Sequence, residues 1–457
     1  MEKIYASPEK GKYQKVQKQS VYLTMRDGVD LAVDIWTPKS KEANLKLPTL
    51  LHQTRYWRGA ALRWPFSAIS DGLLGHEGNI VRELILSGYA FVNVDCRGSG
   101  ASFGTRPHPW SPEEVKDGNE IVDWIIQQSW SNGILGVVGI SYTGTSAEFA
   151  LTNQHPAIKA AMPLFSLYDV YDDIALPGGI PHDGFVIEWG KANASLDINR
   201  IPVKDPIIKL LVKGVSPVGK KKEGKELLKA ALAAHDGNQN VHETSKGVEF
   251  RDQQPPTKIV QTMDEFSPHY HQAEISKSNV PVLSTSGWRD GAYPHSSIRR
   301  YLNTPPEFGR LLLGPWDHGG KNHISPGGHR KLRTDIIHHG IRFFDHFLKG
   351  YKTDLAEEPP VKYFTLQEEK WKVAQNWPPA GLVDKDFHLG LKNRLETEGP
   401  TFSESSLNIK HNPQQGTGHY TRWRGLRRTC LLYTTDSADD MQCVDPGGRR
   451  IMKKSVW

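Results

Sequence analysis

The residues best suited to do chemistry are Ser141, Asp290 and His318. Ser141 stands in GISYTG, residues 139–144. A serine between small residues, at a sharp turn from strand to helix, presents its hydroxyl as a nucleophile; the common pattern is G-x-S-x-G. Here Thr143 takes the place of the second glycine and Gly144 follows one position late. The hexapeptide alone therefore does not separate an activated serine from an ordinary turn. A nucleophilic serine needs a base, and the base needs an orienting acid. STSGWRDG supplies Asp290 and LLLGPWDHGG supplies His318, each directly after an apolar run. The order serine, acid, histidine is the one used where each follows a successive strand of a parallel sheet. Such a set performs acyl transfer. Asp317, adjacent to His318, is the rival acid; Asp290 in RDG also suits a turn, and His318 beside GG suits a loop.

Acyl transfer also needs donors for the developing oxyanion. The backbone N–H of Tyr142, next to the serine, is the natural first donor. The second should come from the loop after PTLLHQ, which reads TRYWRG and holds no H-G-G-G run. Tyr56 can donate its phenol O–H there. Alternatively Tyr56 and Trp57 pack beneath a lid, with Trp57 a candidate for the substrate pocket.

The elements that must hold these groups alternate. VYLTM and LAVDIW flank RDG as a hairpin. LPTLLHQ, YAFVNVD, ILGVVGIS and IKAAMPLF read as buried strands, with helical stretches between them. SPEEVKDGNEIVDWIIQQ opens with the capping pair Ser111 and Glu114. The alternation stops over 166–275, an irregular polar stretch with short helical pieces, and resumes with NVPVLSTSGW and GRLLLGPW. The expected fold class is α/β, with a mostly parallel sheet and a lid inserted over its carboxyl edge. Past the PP at 359–360, short strand pieces suggest a separate β domain.

Composition limits the alternatives. The chain has 457 residues, 37% hydrophobic and 24% charged, with a net charge of +6. That is ordinary for a globular protein, and the basic residues are scattered, so no nucleic-acid partner is expected. GKKKEGKELLKAAL alternates signs and reads as a solvated helix. No apolar stretch approaches a membrane span, and the polar N-terminus lacks a signal-peptide core, so a cytoplasmic location is expected. The cysteines, Cys96, Cys430 and Cys443, are too few for a disulfide framework. The histidines near His338 and His346 lie in an apolar helical pattern, and H-E-x-x-H is missing. No metal and no cofactor are expected.

With these residues in place, the chain resembles the α/β-hydrolase family of cocaine esterase, X-prolyl dipeptidyl aminopeptidase and α-amino-acid ester hydrolase, the CocE/NonD family. The matching pieces are MRDGVDLAVDIWTP, TRYWR, DCRGSGASFG, DGNEIVDWIIQQSWSNGILGVVGISYTG, GWRDG and GPWDHGG, and the resemblance covers about residues 15–425. That family's elbow is G-x-S-Y-x-G, which accounts for the late glycine. The resemblance implies Ser141 as nucleophile, Asp290 as acid, His318 as base, and the Tyr56 hydroxyl with the Tyr142 N–H as oxyanion hole. It implies an α/β-hydrolase domain in two parts, 1–165 and 276–355, a helical cap over 166–275, and a truncated jelly-roll sandwich over 356–428. In DCRGSGASFG the glycines shape the loop after FVNVD and Arg97 is expected to brace the site region. Residues 429–457 do not continue the sandwich; they read as a non-native tail from sequencing-adapter read-through, which would make Cys430 and Cys443 non-native, the alternative being an ordinary divergent terminus.

The function this implies is a serine hydrolase of small-molecule esters or amides. An X-prolyl dipeptidyl-peptidase is the alternative. It would need an acid for the substrate amine, and YDVYDD offers Asp169, Asp172 and Asp173, which equally suit a cap surface. A binding protein on a degenerate hydrolase scaffold is the non-enzymatic alternative. A homodimer is left open.

Overall fold

The computed structural model describes residues 5–69, 72–73, 75–203, 205–219, 221–257, 259, 261–323, 325, 336–390 and 394–399. Its strands, in chain order, are β1 (Val16–Thr24), β2 (Asp30–Pro38), β3 (Leu47–Thr54), β4 (Ala60–Leu62), β5 (Ala90–Asp95), β6 (Ser131–Ile140), β7 (Ile158–Leu164), β8 (Val212–Val215), β9 (Val282–Gly287), β10 (Gly309–Gly314), β11 (Val361–Thr365), β12 (Lys370–Ala374), β13 (His388–Gly390) and β14 (Arg394–Glu396).

Among the described residues, ten of these form one sheet in the order β1-β2-β5-β3-β6-β7-β9-β10-β11-β12. The run from β5 to β11 is parallel throughout. β1, β2 and β12 are antiparallel to their neighbours. The inner strands carry nearly unbroken apolar runs because both faces are covered. On one face the helix Pro112–Ile126 contributes Ile121, Val122 and Ile125 to a core with Val92, Leu135 and Val137. On the other, the helix Ile336–Lys349 sets Phe343, Phe344 and Leu348 against Leu50, Phe91 and Met162.

The parallel order places the ends of β3, β6, β9 and β10 at one edge. Tyr56, Ser141, Asp290 and His318 follow those four strands within a few residues. An open α/β sheet binds ligands at this carboxyl edge, where the strand order reverses. Between β7 and β9 the chain leaves the sheet. This segment includes the helices Asp183–Asp197, Pro206–Leu211 and Lys221–Ala234, and β8, which pairs with β4 outside the main sheet.

The strands past PP were expected to open a separate β domain at 356. They pair differently: β11 lies parallel to β10, and β12 closes the sheet as its edge strand. Leu311, Leu313 and Val361 share a small core there with Tyr363 and Trp377 packed against it. Of the expected sandwich, β13 and β14 form a short hairpin. Residues 400–428 and the tail expected over 429–457 lie outside the described residues. Among the described residues no helix is long and apolar enough to cross a membrane.

Candidate active site

The elbow is built by close approach of backbone. Ser141 has φ +64° and ψ −122°, a region that side-chain-bearing residues avoid and that active sites hold by surrounding structure. Two glycines make it fit. A Cβ on Gly139 would come within 2.3 Å of the Thr143 backbone, and one on Gly144 within 2.8 Å of the carbonyl oxygens of Gly139 and Leu164. The helix Tyr142–Phe149 thus presses its first turn onto β6 and β7, and the late glycine falls where that turn meets the carbonyls of both strands. The Thr143 hydroxyl lies 2.7 Å from the Ile140 N–H and donates to the Ile140 carbonyl at 2.8 Å. The Ser141 N–H donates to the Leu164 carbonyl at 2.9 Å.

The structure brings Asp290 onto His318: Nδ1 lies 2.8 Å from Oδ1 of Asp290. An ionised carboxylate only accepts, so Nδ1 carries the proton and Nε2 is left with its lone pair. Burial disfavours the imidazolium, but the charge and hydrogen bond of Asp290 outweigh it and hold His318 above its ordinary range. Burial likewise pushes the Asp290 carboxyl up to about 6, against the pull of the facing imidazole. The rival Asp317 turns away. Its carboxylate accepts from the backbone N–H of Asn322 at 2.9 Å and from the Asn322 side-chain amide at 2.5 Å.

Ser141, Asp290, His318, Tyr56 and Trp57 line one cavity of about 560 Å³. A smaller cavity of about 90 Å³ is also lined by Ser141, Tyr56 and Tyr142. Among the described residues no aspartate, glutamate, lysine or arginine lines it; its walls include Trp110, Leu167, Phe185, Trp189 and Phe266. Tyr142 begins its helix, so its N–H has no intrahelical partner. Its ring is clamped. Trp110 stacks on it at 4.6 Å, and its hydroxyl donates to both oxygens of Glu114 at 2.7 and 2.9 Å. Glu114 was expected to close a capping box with Ser111. Ser111 does cap the helix, accepting from the Glu114 N–H at 3.4 Å, but the glutamate side chain braces Tyr142.

Trp57 donates its indole N–H to the Leu196 carbonyl at 3.2 Å. Asp172 and Asp173 are not among the residues lining either cavity. Arg299 pairs with both, at 2.8 Å to Asp172 and in a shorter contact to Asp173. Arg97 braces its loop through Asp117 at 2.6 Å and Asp27 at 2.9 Å. Asp169, Asp264 and His269 bring ligand-type atoms within 4.8 Å of one another. The cation already there is Arg251, 2.7 Å from Asp264 and 3.1 Å from Asp169.

Sequence reasoning missed Tyr293 and Trp189. Tyr293 is buried, lines both cavities together with Ser141 and lays its ring 5.0 Å from that of His318. Its position three residues after the acid, at the head of the helix Tyr293–Asn303, was the available signal. Trp189 sits in the patternless insertion, where no signal marks it.

A sequence profile of the X-Pro dipeptidyl-peptidase (S15) family matches residues 27–320. A Mycobacterium bovis protein named as a serine esterase is 39% identical over 449 residues, which cover 92% of this chain and 71% of that one. The cocaine esterase of Rhodococcus sp. is 25% identical over 411 residues, 84% of this chain and 65% of that one. Among solved structures, a CocE/NonD family hydrolase from Staphylococcus aureus matches with a TM-score of 0.60 at 21% identity, over 84% of this chain and 61% of that one. This last likeness concerns the fold alone. Fold and relatives together define the class, a serine hydrolase on an α/β-hydrolase sheet. Within it, the chain belongs to the X-Pro dipeptidyl-peptidase S15 family, whose relatives include the CocE/NonD hydrolases.

Proposed function

We propose that this chain hydrolyses carboxylic esters or amides through an acyl-enzyme on Ser141. The observation that carries the reading is the 2.8 Å contact of His318 with Asp290, in the cavity that Ser141 lines. His318 Nε2 takes the Ser141 proton as Oγ attacks the carbonyl carbon. The same proton then goes to the departing alcohol or amine as the tetrahedral intermediate collapses. Water, deprotonated by Nε2, attacks the acyl-enzyme and regenerates Ser141. Asp290 holds the tautomer and balances the transient imidazolium. The Tyr56 hydroxyl and the Tyr142 N–H stabilise the oxyanion.

The relatives named as esterases favour an ester substrate, and so does the apolar cavity beside Ser141. A dipeptidyl-peptidase requires a carboxylate for the substrate amine. Asp172 and Asp173 are engaged by Arg299, which counts against them in that role. A non-catalytic binding role has no use for a strained serine in the same cavity as an oriented histidine. The test is pre-steady-state hydrolysis of a chromogenic ester. A burst equal to the enzyme concentration supports the reading, and hydrolysis surviving in Ser141→Ala refutes it.

A further inference from the structure

Trp189, on the helix Asp183–Asp197, donates its indole N–H to the hydroxyl oxygen of Tyr56 at 2.8 Å. An indole N–H can only donate. The Tyr56 oxygen therefore accepts, and its single proton must point elsewhere. Among the described residues no acceptor takes that proton, and Tyr56 lines both cavities together with Ser141. The phenol thus keeps a proton to donate beside a cavity that Ser141 also lines.

The same helix is fastened to the loop that carries Tyr56. Asp197 pairs with buried Arg55 at 2.9 Å, and the Leu196 carbonyl accepts from Trp57. The Arg55 guanidinium lies 5.9 Å from the Tyr56 ring and 5.7 Å from the Trp189 ring. Burial keeps the Tyr56 phenol neutral, its affinity for its proton raised, while the Arg55 charge and the Trp189 bond pull in the opposite direction. A donor that is itself hydrogen-bonded through its oxygen is polarised and donates more strongly, and the gain is largest when the acceptor is an anion.

We propose that Trp189 is a positioning residue for the oxyanion hole. Its N–H fixes and polarises the Tyr56 hydroxyl, so the hole is complete only when the inserted helix is seated on the sheet. This rests on Tyr56 acting as an oxyanion donor. It adds that the insertion, besides walling the pocket, supplies part of the rate.

The test is a double-mutant cycle in kcat on one activated ester, using Trp189→Phe and Tyr56→Phe. Trp189→Phe keeps a ring and removes the donor. It should lower kcat roughly five- to tenfold, the size of one hydrogen bond felt mainly in the transition state, with KM nearly unchanged. With Tyr56→Phe already present, Trp189→Phe should change kcat less than about twofold, because no hydroxyl is left to orient. The same factor lost with and without the Tyr56 hydroxyl would overturn the role of Trp189 while leaving Tyr56 as a donor. An unchanged kcat in Tyr56→Phe itself would remove the oxyanion reading and this inference together. If Trp189→Phe does not fold, as judged by circular dichroism and melting, Trp189→Leu carries the same cycle.

Discussion

Asp290 and His318 are 28 positions apart in the chain, yet their side chains meet at 2.8 Å. Two adjacent parallel strands bring them together. β9 and β10 run side by side in register, Gly287 beside Gly314, so the loops that leave their ends emerge at the same edge. Asp317, next to His318 in sequence, cannot make this contact while it holds Asn322.

Asp290→Asn should therefore lower kcat by about 10⁴-fold through the wrong imidazole tautomer. Asp317→Asn should cost less than about tenfold, since it loosens only its own loop. Steady-state kinetics of both variants on one ester check this; equal, mild losses would contradict it.

The acid limb of the rate profile follows from the same pair. In the proposed mechanism His318 acts as base when neutral, and Asp290 raises its affinity for a proton. The groups facing it include Tyr293 and, by charge, Glu77 and Lys321. Activity should fall as pH drops through a midpoint above about 6.5, the ordinary histidine value. Removing the Asp290 charge should move that midpoint down in the residual activity of Asp290→Asn. A midpoint that stays fixed in that variant would contradict the coupling.

Tyr56→Phe should lower kcat by about 10²–10³-fold with a smaller change in KM, because the bond strengthens as the oxyanion forms. A loss confined to KM would return Tyr56 to a packing role.

Gly144→Ala tests why the elbow glycine comes late. Its Cβ would sit 2.8 Å from backbone carbonyls of Gly139 and Leu164, neither of which can swing aside. Overpacking of this kind costs about 1–3 kcal/mol of stability, readable in urea denaturation, and should also displace Ser141. A variant of wild-type stability and rate would show that the contact is not tight.

The meeting of Asp290 and His318 in the cavity that Ser141 lines was legible because each of the three directly follows an apolar run, and the order of three runs carries more information than any one motif. The choice of Asp290 over Asp317 was legible only as a preference, since it depends on which side chain reaches across strands. Pairing itself is long-range, which is why β11 and β12 read as the start of a new domain. Nothing local tells an exposed-looking strand pair that β10 is its neighbour. Glu114 looked like a capping residue because the helix signal is local, while Tyr142, its actual partner, lies 28 positions away. Trp189 and Tyr293 were missed for the same reason. Each is placed at the site by a contact to a residue distant in the chain, Trp189 to Tyr56 and Tyr293 to His318.

The central claim, that Ser141 is the nucleophile, is tested most directly by covalent capture. The enzyme is treated with a fluorophosphonate, and the site of the adduct is read by peptide mass spectrometry. The account predicts one phosphonyl group per chain, on the peptide containing Ser141, formed in step with loss of esterase activity and missing in Ser141→Ala. An adduct on another residue, or full esterase activity with Ser141 modified, would contradict it.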